Sequence, residues 1–256
     1  MRQASTNLKR KGFSVSKSSV HRVRQEMGFK AYKRPRRQDL TEKQKRQRLS
    51  FCKTYESQEW SKVICTDEHR FTLSGRKVNP QHNFEWVPKR QQLSSIPQSK
   101  YAPQFMAWGG ISCWGPSPLI EIKGNMDSTQ YQTILTRRVL PWLQNSKPNG
   151  DYLFQQDNAR SHTAAATLSL LRQREIPFIP PEEWPANSPD LNPIENLWAF
   201  MDDKLSQKRI RKKGGLITAA RQMFSSFTRA QLKKYILSMD QRVAACIKAK
   251  GGLFKI

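Results

Sequence analysis

The chain has 256 residues, 37% of them hydrophobic with seven Trp and twelve Phe, which suits one large domain with a small appendage and argues against a disordered chain. Its formal net charge of +25 is unevenly divided: residues 1–62 and 204–256 carry +13 each, whereas residues 63–203 carry −1 and hold 14 of the 20 acids. Polycationic ends around a neutral middle point to a phosphate backbone as partner, because each neutralised phosphate releases counterions; solvated Lys-rich helices, which ordinarily mix both signs, are the plainer alternative.

Residues 2–11 read as a basic helical stretch that Gly12 breaks, and Ser16 or Ser18 caps a second helix ending before Gly28. On that helix Val20, Val23 and Met27 share one face while His21, Arg22, Arg24 and Gln25 point elsewhere, as in a groove-reading helix; a solvated helical pair is the duller reading. Two helices are present where a stable unit normally has three, and Met1 stands almost on the motif, so the chain is expected to begin inside a domain. Domain boundaries are expected at 1–30 for this partial helix-turn-helix, 31–60 for a basic linker with a lead-in helix from Thr41 to about Tyr55, and 61–256 for the main body. Strands are expected at 63–66, 84–87, 105–112 and 119–122, then a helix over 128–144 whose end Pro141 bends. A strand at 152–155 leads into Asp157, followed by a helix over 161–174 and a short strand at 177–179. Strands followed by strand–helix alternation give a mixed α/β layer architecture.

From Asn192 the pattern is strongly helical: Asn192 as N-cap, Pro193 in the first helical position, and Ile194, Leu197, Trp198, Met201 and Leu205 in one apolar stripe. The basic tail holds two more amphipathic helices, one marked by Leu216, Ala220, Met223, Phe224 and Phe227, the other by Leu232, Tyr235, Ile236, Met239 and Val243, stopped at Gly251-Gly252. Cys52, Cys65, Cys113 and Cys246 form no C-x-x-C pair, which fits reduced thiols in an intracellular protein and argues against a disulfide scaffold or zinc knuckle. No segment resembles a signal peptide or reaches membrane-spanning length. The basic clusters 33–37 and 208–213 suit either nuclear import or phosphate contact.

Three acids stand in distinctive phrases: Asp67 in ICTDEHRF, Asp157 in YLFQQDNARSHTA and Glu195 in SPDLNPIENLW. Singly each has a plain explanation: a turn after a strand for Asp67, an Asx turn for Asp157, and for Glu195 a capping-box glutamate three residues after Asn192. Jointly, two acids closing strand-like runs and one opening a helix supply the carboxylates that hold two divalent cations on either side of a phosphorus. Magnesium suits such a site, since it accepts a few carboxylates together with water and substrate phosphate.

At these residues, and above all in W-P-x-x-S-P-D-L-N-P-I-E-N-L-W from Trp184 to Trp198, the chain resembles the Tc/mariner superfamily of Asp-Asp-Glu transposases over essentially its whole length from about Ser16. The resemblance implies a ribonuclease-H-like fold with Asp67 on the first strand, Asp157 just after the fourth and Glu195 on a later helix. It implies Mg2+ or Mn2+ as cofactor, with hydrolysis at transposon ends followed by attack of the freed 3′ hydroxyl on target DNA, usually at TA. Double-stranded DNA bearing terminal inverted repeats would be the partner, a homodimer the assembly and the nucleus the location. Arg22, Arg24, Lys33, Arg34, Arg36 and Arg37 are the candidate DNA contacts.

Two departures stand out. Thirty-seven residues separate Asp157 from Glu195, and the shorter family interval would fall on Asn192; the role is assigned to Glu195 by its phrase, with Asp190 as fallback and the excess placed in a loop around residues 180–183. Only part of the family's bipartite DNA-binding region is present, so a truncated or domesticated DNA-binding protein without catalysis is the alternative function. A retroviral-type integrase would bring a His/Cys zinc module, and no such spacing occurs. His162 is expected to bond a nearby backbone group in preference to meeting phosphate or orienting a carboxylate. Trp86, Trp184 and Trp198 are expected to pack and not to stack on bases.

Overall fold

The computed structural model describes residues 40–73, 102–146 (backbone alone at 146), 151–208 and 210–254, with isolated positions 16, 19, 22, 23 and 26. The backbone divides into two units, Met1–Asp39 and Leu40–Ile256. The helix-turn-helix and linker as wholes, the strand at 84–87, Trp86, and Arg24, Lys33, Arg34, Arg36 and Arg37 lie outside the described residues. Arg22 is helical and exposed, 3.8 Å from Glu26.

The second unit opens with α1 (Glu42–Thr54), started by a capping box: Thr41 Oγ1 accepts from the Gln44 amide and Gln44 Oε1 from the Thr41 amide. A 3-10 turn (Trp60–Lys62) leads into β1 (Val63–Thr72), followed by β2 (Gln104–Ser112), β3 (Gly115–Pro116) and β4 (Ile120–Ile122). Then come α2 (Ser128–Ile134), a π-helical turn (Leu135–Val139), α3 (Leu140–Ser146), β5 (Leu153–Gln155), α4 (Arg160–Thr163) and α5 (Ala165–Gln173). A 3-10 turn (Pro189–Leu191) precedes α6 (Ile194–Ser206), α7 (Lys213–Ser225) and α8 (Arg229–Lys248). The five strands form a mixed sheet in the order β3-β2-β1-β5 with β4 also on β2; β1 runs antiparallel to β2 and parallel to β5.

Strand alternation sends successive β1 side chains to opposite faces. Val63, Cys65 and Phe71 join a core built with Trp198, Phe224, Ile236 and other residues of α6, α7 and α8. Ile64 joins a second core with Trp108, Tyr131, Phe154 and Leu171, on the side of α2, α3 and α5. The mixed sheet flanked by helices is therefore formed, with a core on each face.

Several boundaries differ from the sequence reading. β1 does not end at Thr66; it continues to Thr72 because β2 stays in register with it as far as Thr72↔Gln104. The polar run Glu68-His69-Arg70 hides this in sequence, since its pairing is set by β2 and not by apolar alternation. The helix expected over 128–144 contains a π-helical turn at Leu135–Val139, just before Pro141, where the missing proline amide interrupts regular bonding. The helix expected over 161–174 breaks at Ala164, whose ψ of 136° is extended. The strand at 177–179 is reduced to one parallel bridge, Phe154↔Phe178. Pro193, not Asn192, is the N-cap of α6, and the Asn192 side chain donates from Nδ2 to the Thr66 carbonyl at 3.2 Å.

Candidate active site

Three elements converge at one end of the sheet. Cys65↔Gln155 is the last parallel pair of β1 and β5, and two residues further along each chain stand Asp67 and Asp157. A step of two keeps Asp67 on the Cys65 face of β1, while Asp157 stands just beyond the end of β5. Asp157 follows β5, the fifth described strand because the two-residue β3 counts as one. Glu195 lies in the first turn of α6, which packs against β1. Helical spacing places Glu195, Trp198 and Asp202 along one face of α6. Trp198 Nε1 donates to Asp67 Oδ2 at 3.3 Å, and Asp202 Oδ2 lies 3.0 Å from His69 Nε2, whose ring stacks on Trp198 at 5.4 Å and 15°. Gly109 faces Asp67 across the ladder and admits the Trp198 ring, since a Cβ there would lie 2.8 Å from it.

Asp67, Asp157 and Glu195 thus line a single cavity of about 350 Å³, walled by Asn158, the 184–189 segment and Asn192. Burial, then the charges of Glu195, Glu68 and Asp157, push the Asp67 carboxyl up to about 8. Burial likewise raises Glu195, although His69 and hydrogen-bonding contact with Asp67 oppose the rise. This pair is crowded enough to hold a proton between its oxygens. Burial would also raise Asp157, but His162 and the Ala159 amide hold it below the ordinary carboxylate range.

The Asx turn expected at Asp157 exists, with Ala159 N donating to Oδ1 at 2.9 Å, and the same oxygen lies 2.7 Å from His162 Nδ1. The capping-box reading of Glu195 is not realised: the Asn192 amide donates to the Pro189 carbonyl, and the Glu195 carboxyl meets Asp67. His162 makes the expected contact with a nearby backbone group, but its shorter contacts are to two carboxylates. Its Nδ1 reaches the Asp157 carbonyl only at 3.3 Å, while its two nitrogens bridge Asp157 Oδ1 and, at 3.0 Å, Glu68 Oε1. Burial disfavours the charged ring, but the two carboxylates outweigh it and push His162 up to about 10.

Asp190, the fallback acid, is committed elsewhere. The fully buried Arg48 guanidinium binds both its carboxylate oxygens at 2.6 Å and donates to the Gly251 carbonyl at 2.8 Å, while Arg242 donates to the Asp190 backbone carbonyl at 2.6 Å. This latch ties α1, α8 and the closing Gly251 turn to the segment that delivers Glu195. The residues around 180–183 form a turn in which Glu183 and Trp184 donate to the Pro180 carbonyl and Glu183 accepts from Tyr55 Oη at 2.6 Å. Trp184 and Trp198 are buried, as expected for packing residues.

Glu68, His69, Asp202 and Arg48 escaped sequence reading. The TDEH run contained two of them, yet only the extended β1 shows that its neighbours alternate between faces. The ionisable groups lining the cavity are all carboxylates, alongside the side-chain oxygens of Asn158 and Asn192, and burial raises two of the acids; this oxygen-rich lining suits a hard divalent cation.

A family model described as DDE superfamily endonuclease matches residues 62–217. The chain is 29% identical over 251 residues to the transposable element Tc1 transposase of Caenorhabditis elegans, covering 92% of this chain and 86% of that protein. It is 28% identical over 251 residues to the Tcb1 transposase of Caenorhabditis briggsae, with the same coverages of 92% and 86%. Among solved structures, the Mos1 transposase paired-end complex with left transposon end superposes with a TM-score of 0.76 at 23% identity, over 99% of this chain and 75% of that one. The catalytic domain of Mos1 mariner transposase gives 0.68 at 20% identity, over 86% of this chain and all (100%) of that one. The mixed sheet and its helical layers are accordingly ribonuclease-H-like.

Proposed function

The chain belongs to the DDE superfamily of endonucleases, as a transposase of the Tc/mariner type, and on that premise we propose that Asp67, Asp157 and Glu195 are the catalytic carboxylates of its metal-dependent cut-and-paste DNA transposition. The observation that carries this assignment is their convergence on one cavity from β1, the turn after β5 and the start of α6. Mg2+ or Mn2+ bound there would supply charge stabilisation to the attacking and leaving oxygens of an in-line displacement.

Asp157, its Oδ1 occupied by Ala159 and His162, offers Oδ2 from a fixed direction. Asp67 and Glu195 give up the proton between them and face the same space, Asp67 steadied by Trp198. In cleavage, water loses a proton as it bonds to the scissile phosphorus, and the 3′ oxygen leaves and takes up a proton; in strand transfer, that 3′ hydroxyl loses its proton as it bonds to a target phosphorus, whose own 3′ oxygen leaves and is protonated. The Mos1 complexes contain transposon-end DNA in paired-end arrangements. By analogy this chain would bind terminal inverted repeats as a homodimer and insert at TA. Arg22, Arg24, Lys33, Arg34, Arg36 and Arg37 are the proposed DNA contacts, in the region read from sequence as a partial helix-turn-helix at 1–30 and a basic linker with lead-in helix at 31–60. The basic clusters 33–37 and 208–213 support a nuclear location.

The test is nicking of duplex DNA carrying the cognate terminal repeats, with and without Mg2+ or Mn2+. Asp67→Ala, Asp157→Ala and Glu195→Ala should each abolish cleavage while leaving DNA binding intact. Cleavage that survives all three substitutions overturns the assignment; salt-sensitive binding with no cleavage by the unsubstituted protein favours the non-catalytic DNA-binding alternative.

A further inference from the structure

Asp157 differs from its two partners in how it is held. Asp67 sits inside a paired strand and Glu195 inside a helix, whereas Asp157 stands on the turn leaving β5. Its direction therefore depends on side-chain and turn contacts. One of these is the Ala159 amide; the other is the His162 ring, whose side chain is only 2% exposed. The ring packs 4.1 Å from that of Tyr131, whose hydroxyl donates to Gln156 Oε1 at 2.7 Å. The far nitrogen of His162 meets Glu68 Oε1 at 3.0 Å.

Resting on the proposed catalytic role of Asp157, we infer that Glu68 is a positioning residue, acting through His162 to fix the Asp157 carboxylate so that Oδ2 alone faces the metal cavity. Strand alternation makes this possible. Asp67 points from β1 toward α6 and enters the cavity directly, while Glu68 points to the opposite face and reaches the site through an imidazole. A carboxylate behind a histidine commonly fixes ring orientation at metal centres; here the chain is one link longer, because the histidine holds the ligand and is not itself one. Glu68, Asp157 and His162 each offer a donor atom within 4.8 Å of the others, which could suggest direct ligation by all three. The ring geometry argues otherwise. Nδ1 is taken up by Asp157 Oδ1 at 2.7 Å and Nε2 by Glu68 Oε1 at 3.0 Å, so an ion on either nitrogen would have to displace one of these contacts.

The experiment uses the full chain and reads Mn2+ affinity by EPR in the absence of DNA, with DNA nicking measured in parallel. Glu68→Ala should weaken Mn2+ binding about 10-fold to 100-fold, the range for such outer partners. Glu68→Gln, which keeps an oxygen to accept from Nε2–H, should stay within about threefold of the unsubstituted protein. His162→Ala should resemble Glu68→Ala, and the double variant should be no worse than His162→Ala alone, since the two act in series. The inference is overturned by three outcomes: Glu68→Gln as impaired as Glu68→Ala, multiplicative losses in the double variant, or no change in Glu68→Ala. Because Glu68 lies beside the core, Glu68→Gln rescue separates positioning from misfolding. Failure of nicking with this Mn2+ pattern intact counts against the transposition chemistry alone.

Discussion

The crowding of Asp67 against Glu195 has a measurable consequence for the metal-free protein. The folded-state pKa of Asp67 lies well above the ordinary carboxylate value, at about 8, so the folded molecule keeps a proton that the unfolded chain releases. The associated stability is complete below about pH 4 and is lost as pH rises toward 8. Between pH 4.5 and 6.5 one retained proton corresponds to about 1.4 kcal/mol per pH unit, or about 3 kcal/mol over the interval. For a unit of this size that is roughly 5–10 °C in melting temperature. Apart from Glu195, which is raised together with Asp67, the window excludes the other strongly perturbed groups of the site. Asp157 is shifted downward and titrates below it, and the His162 contribution disappears only above about 6.5, as pH climbs toward about 10. Differential scanning calorimetry with chelator present should therefore show the Tm falling from pH 4.5 to 6.5. Asp67→Asn should flatten the fall and Asp67→Asn/Glu195→Gln should remove it. A double variant with the unsubstituted slope would refute the reasoning, because it would place the retained proton elsewhere.

Metal should compete with the same proton: Mn2+ affinity is expected to rise up to about tenfold per pH unit from about pH 6 to 8. Calorimetric titration in buffers of different ionisation enthalpy should count about one proton released, and a pH-independent affinity would contradict the shared proton. Arg48→Met strands Asp190 beside Arg242 and is expected to cost about 3–5 kcal/mol in chemical denaturation, as for other broken buried pairs; a change below about 1 kcal/mol would remove the latch from the account. Gly109→Ala drives a methyl to 2.8 Å from Trp198 and 3.0 Å from Phe224, with an expected loss of about 1–3 kcal/mol from overpacking. Its near-ultraviolet circular dichroism should change with the Trp198 environment, and an unaltered spectrum with unaltered stability would show that the ring is not confined there.

The Arg48 latch also indicates how the catalytic end is supported. Gly251 has a φ of +80° and lies so close to the Lys45 carbonyl that a side chain would collide with it. The carboxyl-terminal turn therefore presses onto α1, and Arg48 of α1 grips both that turn and Asp190. A helix near the start of the unit and a turn near its end thus jointly brace the segment before Glu195. His69 and Asp202 perform a comparable service across β1 and α6.

Local composition determined much of this protein by itself. The apolar runs at 105–112 and 152–155, the stripe Ile194-Leu197-Trp198-Met201-Leu205 and the two tail helices carry their burial in their spacing, and the stripe residues are all buried. The three phrases around Asp67, Asp157 and Glu195 marked the acids, since residue type and neighbours are one-dimensional information. Tertiary structure alone decided the rest. β1 reaches Thr72 because a distant strand pairs with it, Asp190 serves Arg48 because α1 folds back beside it, and Glu68 meets His162 because strand alternation turns it away from Asp67. Hydrogen bonds between residues 94 or 142 positions apart leave no periodicity in the chain. They arise only when packing brings those side chains within reach of one another.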